Sequence, residues 1–191
     1  MIRRLFKKDK EKGASLIEAS ILLPMLILLA VGLSEIGFLV IDYLTVSNAA
    51  REGARTGAAA ADYDDPISGT DADDLILNSV EEAACNLKFG EMTEVSIFKA
   101  DGNGDPIIGS INIYEPAASG LECGIPANGL VCVNGCPWSP GSRDREPPGF
   151  DVLGVEVVFT HSDVTGFFPF PTVIWDETAI MQIEPDTRGS Q

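Results

Sequence analysis

The chain has 191 residues, of which 45% are hydrophobic, and a formal net charge of −16 at neutral pH. This length accommodates one membrane helix and one domain of modest size. The acidic charge argues against nucleic acid as a partner and against docking of the polar domain onto anionic lipid. We recognise no phosphate-binding loop, catalytic pair of acids or nucleophile elbow. The sequence therefore predicts a protein that is not an enzyme, with no catalytic residues, no cofactor and no metal.

An almost uninterrupted apolar segment runs from Ser15 to Ile41. It is long enough to cross a bilayer, because about 20 helical residues span the hydrocarbon, whereas a cleaved secretory signal has an apolar core of only about 7–15 residues. The leader before it carries six Lys and Arg, whereas residues 43–191 hold 7 Lys and Arg against 24 Asp and Glu, which leaves −17. Since basic flanks stay in the cytoplasm, we expect a single pass through membrane lipid with the C-terminal domain outside.

Polar and small residues interrupt this segment at a few positions. Glu35 has apolar neighbours on both sides, and a carboxylate in a membrane usually faces protein or marks function. Gly32 and Gly37 would let a neighbouring helix approach closely, and Pro24 can bend the helix. We therefore predict a helix-packing surface at Pro24, Gly32, Glu35 and Gly37.

The start of the segment resembles a known processing site. The residues Lys12-Gly13-Ala14-Ser15-Leu16-Ile17-Glu18 are similar to the cleavage motif of type IV prepilin-like proteins. The resemblance implies that a prepilin peptidase cuts between Gly13 and Ala14. It also implies that Glu18 neutralises the new N-terminal amine of an adjacent subunit, although from the residues alone Glu18 could simply be hydrated at the cytoplasmic interface. Ala14 departs from the family, in which many members carry an aromatic residue.

A second motif narrows the resemblance. The run Ala49-Ala50-Arg51-Glu52-Gly53-Ala54-Arg55 resembles the TadE-like pseudopilins of tight-adherence pilus systems, as does Thr178–Pro185, with Gln182 where Arg is more usual. This implies a minor pilin or pseudopilin of the bacterial inner membrane with a periplasmic domain, which either stays there or enters an extracellular pilus. The implied partners are other pilin-like subunits, the prepilin peptidase and the inner-membrane pilus platform.

Two other interpretations remain open from the sequence. One is an uncleaved, single-pass envelope protein that keeps its leader and acts as a docking module for the pilus or secretion machinery. The other is an anchored enzyme, which would require a convergent catalytic cluster in the folded domain.

The remaining pattern predicts an α+β fold. We divide the chain into a basic leader (1–13), a membrane helix with its extension (14–61) and an extracytoplasmic domain (62–191). Arg51 and Arg55 are four residues apart and share a helix face, which is either a basic stripe for an acidic partner subunit or a solvated face beside Glu52.

Periodicity and turn residues place the other elements of this domain. We expect a second, amphipathic helix capped by Thr70 or Asp71 with Gly90 as its stop. An antiparallel sheet of about four strands should follow, with strands at 95–99, 107–114, 151–161 and 173–184. The segment Phe167–Pro171 either contacts the membrane or closes the base of the core.

Four cysteines follow the membrane helix, namely Cys85, Cys123, Cys132 and Cys136. An even number in an exported domain predicts two disulfides that pin a Pro/Gly-rich loop at 115–150, with three possible pairings. Zinc is the weaker alternative, because the spacing lacks paired Cys-x-x-Cys clips.

Overall fold

The computed structural model describes residues 5–85, 87–117, 129–146, 148–166 and 172–185, with the backbone alone for residues 5–14. The helices are α1 (Leu5–Ala60) and α2 (Ala72–Ala84), and a short 3-10 turn covers Pro140–Ser142. The strands are β1 (Asp64–Asp65), β2 (Thr70–Asp71), β3 (Gly90–Ala100), β4 (Pro106–Pro116), β5 (Leu130–Cys132), β6 (Val152–His161) and β7 (Val173–Gln182).

One five-stranded sheet forms the body of the domain. Its strand order is β5-β4-β3-β6-β7, and every neighbouring pair is antiparallel. β1 and β2 form a separate two-stranded ribbon. The predicted α+β class with an antiparallel sheet is confirmed, and the short strand β5 lies inside the segment that was expected to be a loop.

The C-terminal part of α1 and all of α2 pack against one face of this sheet. A Cβ atom on Gly53 would lie 2.5 Å from Val80 of α2, and one on Gly57 would lie 2.9 Å from Leu153 of β6. The two glycines therefore allow α1 to approach both neighbours closely. The core between these elements consists mainly of Val46, Ala49, Ala50, Ala54, Ile76, Leu77, Val80, Val95, Ile97, Leu153, Val155, Val157 and Phe159.

A capping box starts α2. The side chain of Asp71 accepts a hydrogen bond from the Asp74 backbone at 3.0 Å, and the Asp74 side chain accepts one from the Asp71 backbone at 3.1 Å. This satisfies donors that a helix N-terminus leaves free and confirms the predicted cap at Asp71. The predicted stop at Gly90 is wrong: α2 ends at Ala84, and Gly90 begins β3, where a Cβ would come within 2.9 Å of the Thr160 carbonyl oxygen.

The last two strands alternate as predicted. In β6, Leu153, Val155, Val157 and Phe159 are buried, whereas Val152, Glu156, Val158 and Thr160 on the other face are half-buried. Exposed and half-buried residues alternate along β7. The segment Phe167–Pro171 lies outside the described residues.

Candidate assembly surface on the first helix

The lower part of α1 is exposed over its described length. Every described residue from Ser15 to Ala30 is exposed, including Leu16 (71%) and Leu26 (64%), and the helix is long and apolar enough to cross a membrane. The backbone remains helical through Pro24. Gly13 and Ala14 lie on helical backbone below this region, and Glu18 is exposed within it.

Glu35 is the first residue of α1 that the domain buries. Its carboxylate is 6% exposed and accepts hydrogen bonds from the backbone N–H groups of Val164 (3.1 Å) and Thr165 (2.7 Å). Paired backbone donors stabilise a carboxylate without a cation. The partners of Glu35 are therefore in the same chain, whereas the sequence assigned this residue to a surface for a neighbouring helix.

Above Glu35, one side of α1 remains open. We call this side the uncovered stripe, and it consists of Ile36 (61% exposed), Val40 (45%), Ile41 (52%) and Leu44 (54%). Gly37 lies beside it, and a Cβ on Gly37 would meet no atom within 4 Å. Gly32 is half-buried. Of the four residues predicted for helix packing, Gly37 thus faces free space and Glu35 faces the domain.

Two arginines of the second motif, Arg51 and Arg55, follow the uncovered stripe along α1. Arg51 and Arg55 are both exposed, as the sequence predicts for residues on one face. Arg55 lies 4.0 Å from Glu52, and the two side chains are 74% and 48% exposed. An exposed pair at that distance is weak, so Arg55 stays available to another acidic group.

A buried acid on the covered side of α1 contacts the only histidine of the chain. Asp42 is completely buried, and its carboxylate lies 2.9 Å from Nδ1 of His161 and accepts a long hydrogen bond (3.4 Å) from the Lys88 backbone. The sequence analysis did not predict this contact. The signal was present, since a lone acid and a lone histidine in otherwise apolar segments are candidates for a buried pair.

A second buried polar cluster secures the upper end of α1. Asp73 of α2 accepts hydrogen bonds from Asn112 (2.8 Å) and Tyr114 (2.7 Å) and forms an ion pair with Arg143. Arg143 also donates to the carbonyl oxygen of Ala61, just beyond α1, at 3.2 Å. Burial, and then the charge of Asp73, raise the pKa of the Tyr114 hydroxyl well above its ordinary value, so that it remains a donor.

The same cluster holds the segment after β5. Asn112 donates to the carbonyl oxygen of Trp138 and accepts from its backbone N–H, both at 2.8 Å, and the Arg143 guanidinium lies 4.5 Å from the centre of the Trp138 ring. Cation–π contact of this kind stabilises a buried guanidinium. The segment is therefore fixed by a polar core as well as by a disulfide.

The three cysteines that the structure describes all form disulfides. Cys132 bonds to Cys136, and Cys85 is also disulfide-bonded. Cys123 lies outside the described residues. Because these thiols are consumed, the zinc alternative is wrong for the three described cysteines, and no group of three metal-ligating side chains occurs in the described part of the chain.

The architecture defines a class: an α+β domain built on an apolar N-terminal helix that is long enough to cross a membrane. The family described as TadE-like protein matches residues 13–55. That range contains Gly13–Glu18, Glu35 and the arginine motif, so it supports the resemblance over these residues and supports a role associated with the tight-adherence pilus. No curated protein and no solved structure matches the chain.

Proposed function

We propose that the protein is a minor pilin or pseudopilin, a structural subunit for biogenesis of the tight-adherence pilus. It is cleaved between Gly13 and Ala14 by a prepilin peptidase and associates with other pilin-like subunits through α1. The proposal assigns it no catalytic activity. The observation that carries it is the uncovered stripe, because contiguous exposed apolar surface on a folded protein marks an interaction site.

The position of the uncovered stripe distinguishes it from a membrane anchor. The lower part of α1 has lipid available to cover it, but the stripe lies above Glu35, alongside the domain. A helix from a neighbouring subunit fits this surface, since Gly37 leaves room for close backbone approach. Arg51 and Arg55 then face acidic groups of that neighbour, and opposite charges at the rim of an interface favour the correct register.

Topology follows from charge and cysteine chemistry. The basic leader favours the cytoplasm, and disulfides at Cys85 and at Cys132–Cys136 are typical of an oxidising compartment. We therefore place the domain in the periplasm and α1 in the inner membrane, next to the pilus platform. In this arrangement Glu18 pairs with the N-terminal amine of an adjacent cleaved subunit, since a charge in an apolar setting requires an opposite charge nearby.

Processing is tested by intact mass of the protein from its native host, with and without the peptidase. We expect the mature chain to begin at Ala14 in the first strain and to keep its leader in the second. An intact leader in both strains would instead support the uncleaved docking module.

Association is tested with two differently tagged copies in the same membrane. Leu44→Asp should greatly reduce their co-purification and their recovery in the sheared pilus fraction, because it places a carboxylate in the uncovered stripe. Ile67→Asp is the matched control, since Ile67 is 96% exposed on the loop between β1 and β2 and does not belong to the uncovered stripe. Equal recovery of both variants would refute the assembly role of the stripe.

A further inference from the structure

We propose that the lower rim of the domain lies in the headgroup region of the outer leaflet, so that the domain contacts the bilayer surface directly. The lower rim consists of residues 87–89 and 162–166, two loops joined by a hydrogen bond from the Ser162 N–H to the Phe89 carbonyl oxygen (3.4 Å). The inference rests on the proposed membrane crossing by α1, but not on pilus assembly.

The height of the lower rim is set by its contacts with α1. Glu35 binds the backbone of Val164 and Thr165, and the ring of Phe38 lies 4.6 Å from that of Phe89. The apolar helix below these contacts, which we call the bare helix, runs from Ser15 to Ser34. It has 20 residues, which are exposed except for the half-buried Val31 and Gly32. Twenty helical residues rise about 30 Å, the thickness of the hydrocarbon layer. The lower rim therefore begins where the hydrocarbon ends.

The side chains of the lower rim suit that depth. Val164 is 39% exposed, and Phe89 is half-buried beside the exposed Lys88. An aromatic ring, an apolar side chain and a long cation are residues that occupy the membrane–water interface. Two backbone N–H groups that point toward α1 are satisfied by Glu35, which removes the cost of leaving them unpaired near lipid.

The contact is apolar rather than electrostatic. The domain is strongly acidic, and Asp163 lies within the lower rim next to Val164. Anionic headgroups would be repelled, so the occupant we infer is the interface of a zwitterionic bilayer.

The test is site-directed spin labelling of the full chain in phosphatidylcholine nanodiscs, with depth measured from collision rates with oxygen and with a water-soluble nickel chelate. Three variants each carry one label: Leu26→Cys in the bare helix, Val164→Cys in the lower rim and Ile108→Cys at the opposite end of the sheet. Ile108 is 96% exposed and serves as the aqueous control.

We expect the label at 26 to be accessible to oxygen alone, the label at 108 to favour the nickel chelate, and the label at 164 to give an intermediate ratio. A label at 164 that behaves like the one at 108 would overturn the rim contact while leaving the membrane crossing intact. Low accessibility of 164 to both reagents would mean a protein neighbour and would also overturn it. An aqueous label at 26 would refute the membrane crossing itself, and with it both proposals.

The role of Glu35 is tested in the chain labelled at 164. Glu35→Ala removes the acceptor of both N–H groups, so the label should shift toward the aqueous ratio and gain mobility. An unchanged ratio would show that something other than Glu35 holds the lower rim at its depth.

Discussion

The two halves of α1 form one continuous helix but present different surfaces. From Ser15 to Ala30 the helix carries long apolar side chains, and every residue of this stretch is exposed. From Glu35 to Ala60 its covered face is built from Ala49, Ala50 and Ala54, with glycines at the closest approaches. Large side chains suit a surface surrounded by lipid, whereas small ones let a helix lie close to its own sheet. A single helix can thus be anchor below and core element above.

The largest expected effect concerns the cluster that holds the upper end of α1. Asp73→Ala leaves the fully buried guanidinium of Arg143 without its carboxylate, and breaking a buried pair from one side costs about 3–5 kcal/mol. Urea unfolding in detergent micelles, followed by tryptophan fluorescence, measures the loss. Glu82→Ala, at an exposed position of the same helix α2, is the control and should change the free energy of unfolding by less than about 0.5 kcal/mol.

The next effect compares two valines on α1 directly. Val46 is fully buried in the core, and Val40 is 45% exposed in the uncovered stripe. Val46→Ala should lower the free energy of unfolding by about 2 kcal/mol, because it removes buried methyl groups and leaves a cavity. Val40→Ala should have little effect on the isolated subunit. Similar losses at both positions would mean that the uncovered stripe is covered by the domain after all.

A pair of glycines should give effects of opposite sign. Alanine is a better helix former than glycine by about 1 kcal/mol, so Gly37→Ala should stabilise the subunit slightly. Gly53→Ala should destabilise it by about 1 kcal/mol net, because the new Cβ would lie 2.5 Å from the buried side chain of Val80 and overpacking costs about 1–3 kcal/mol. The same urea titration measures both changes in the free energy of unfolding. A gain in stability at both positions would contradict the close packing of α1 on α2.

The smallest effect lies on the sheet face that α1 does not touch. Burial, and then the charges of Asp176 and Glu94, raise the pKa of Glu156 above its ordinary value of 4.5. The folded state therefore keeps this proton to a higher pH than the unfolded chain does. The stabilisation is complete below the ordinary value and is lost as the pH rises through the folded-state pKa.

Glu156→Gln should accordingly stabilise the protein at pH 7 by less than about 1 kcal/mol, since the side chain is half-exposed and screened by water. The gain should vanish below pH 4, where Glu156 is protonated in both states. Urea midpoints across this pH range measure it, with Glu115→Gln on an exposed site of β4 as the control. A gain that is independent of pH would rule out titration as its cause.

Local patterns predicted most of the fold. The apolar run from Ser15, the cap at Asp71 and the alternation in β6 are properties of neighbouring residues, and each has its expected structural counterpart. Phe98 could not be placed in this way. Phe98 lies on the sheet face opposite the helices. Its ring is buried because it packs directly over Gly154, where a Cβ would come within 2.3 Å of the ring.

The candidate surface was predictable only in part. That Arg51 and Arg55 share one face follows from their spacing along the helix. The partners of Glu35 and Asp42 do not, because they depend on how loops far along the chain fold back onto α1. Sequence shows that a carboxylate in an apolar run needs a partner, but not whether that partner belongs to the same subunit or to a neighbour.

The large sequence separation between these two acids and their partners has a consequence for biosynthesis. Asp42 meets His161 across 119 positions of the chain, and Glu35 meets Thr165 across 130. While the ribosome is still making the sheet, the first helix is already complete, but Glu35 and Asp42 do not yet have these distant partners. A nascent chain that terminates before β6 therefore lacks His161 beside Asp42 and lacks both backbone donors to Glu35, which makes it chemically different from a finished subunit.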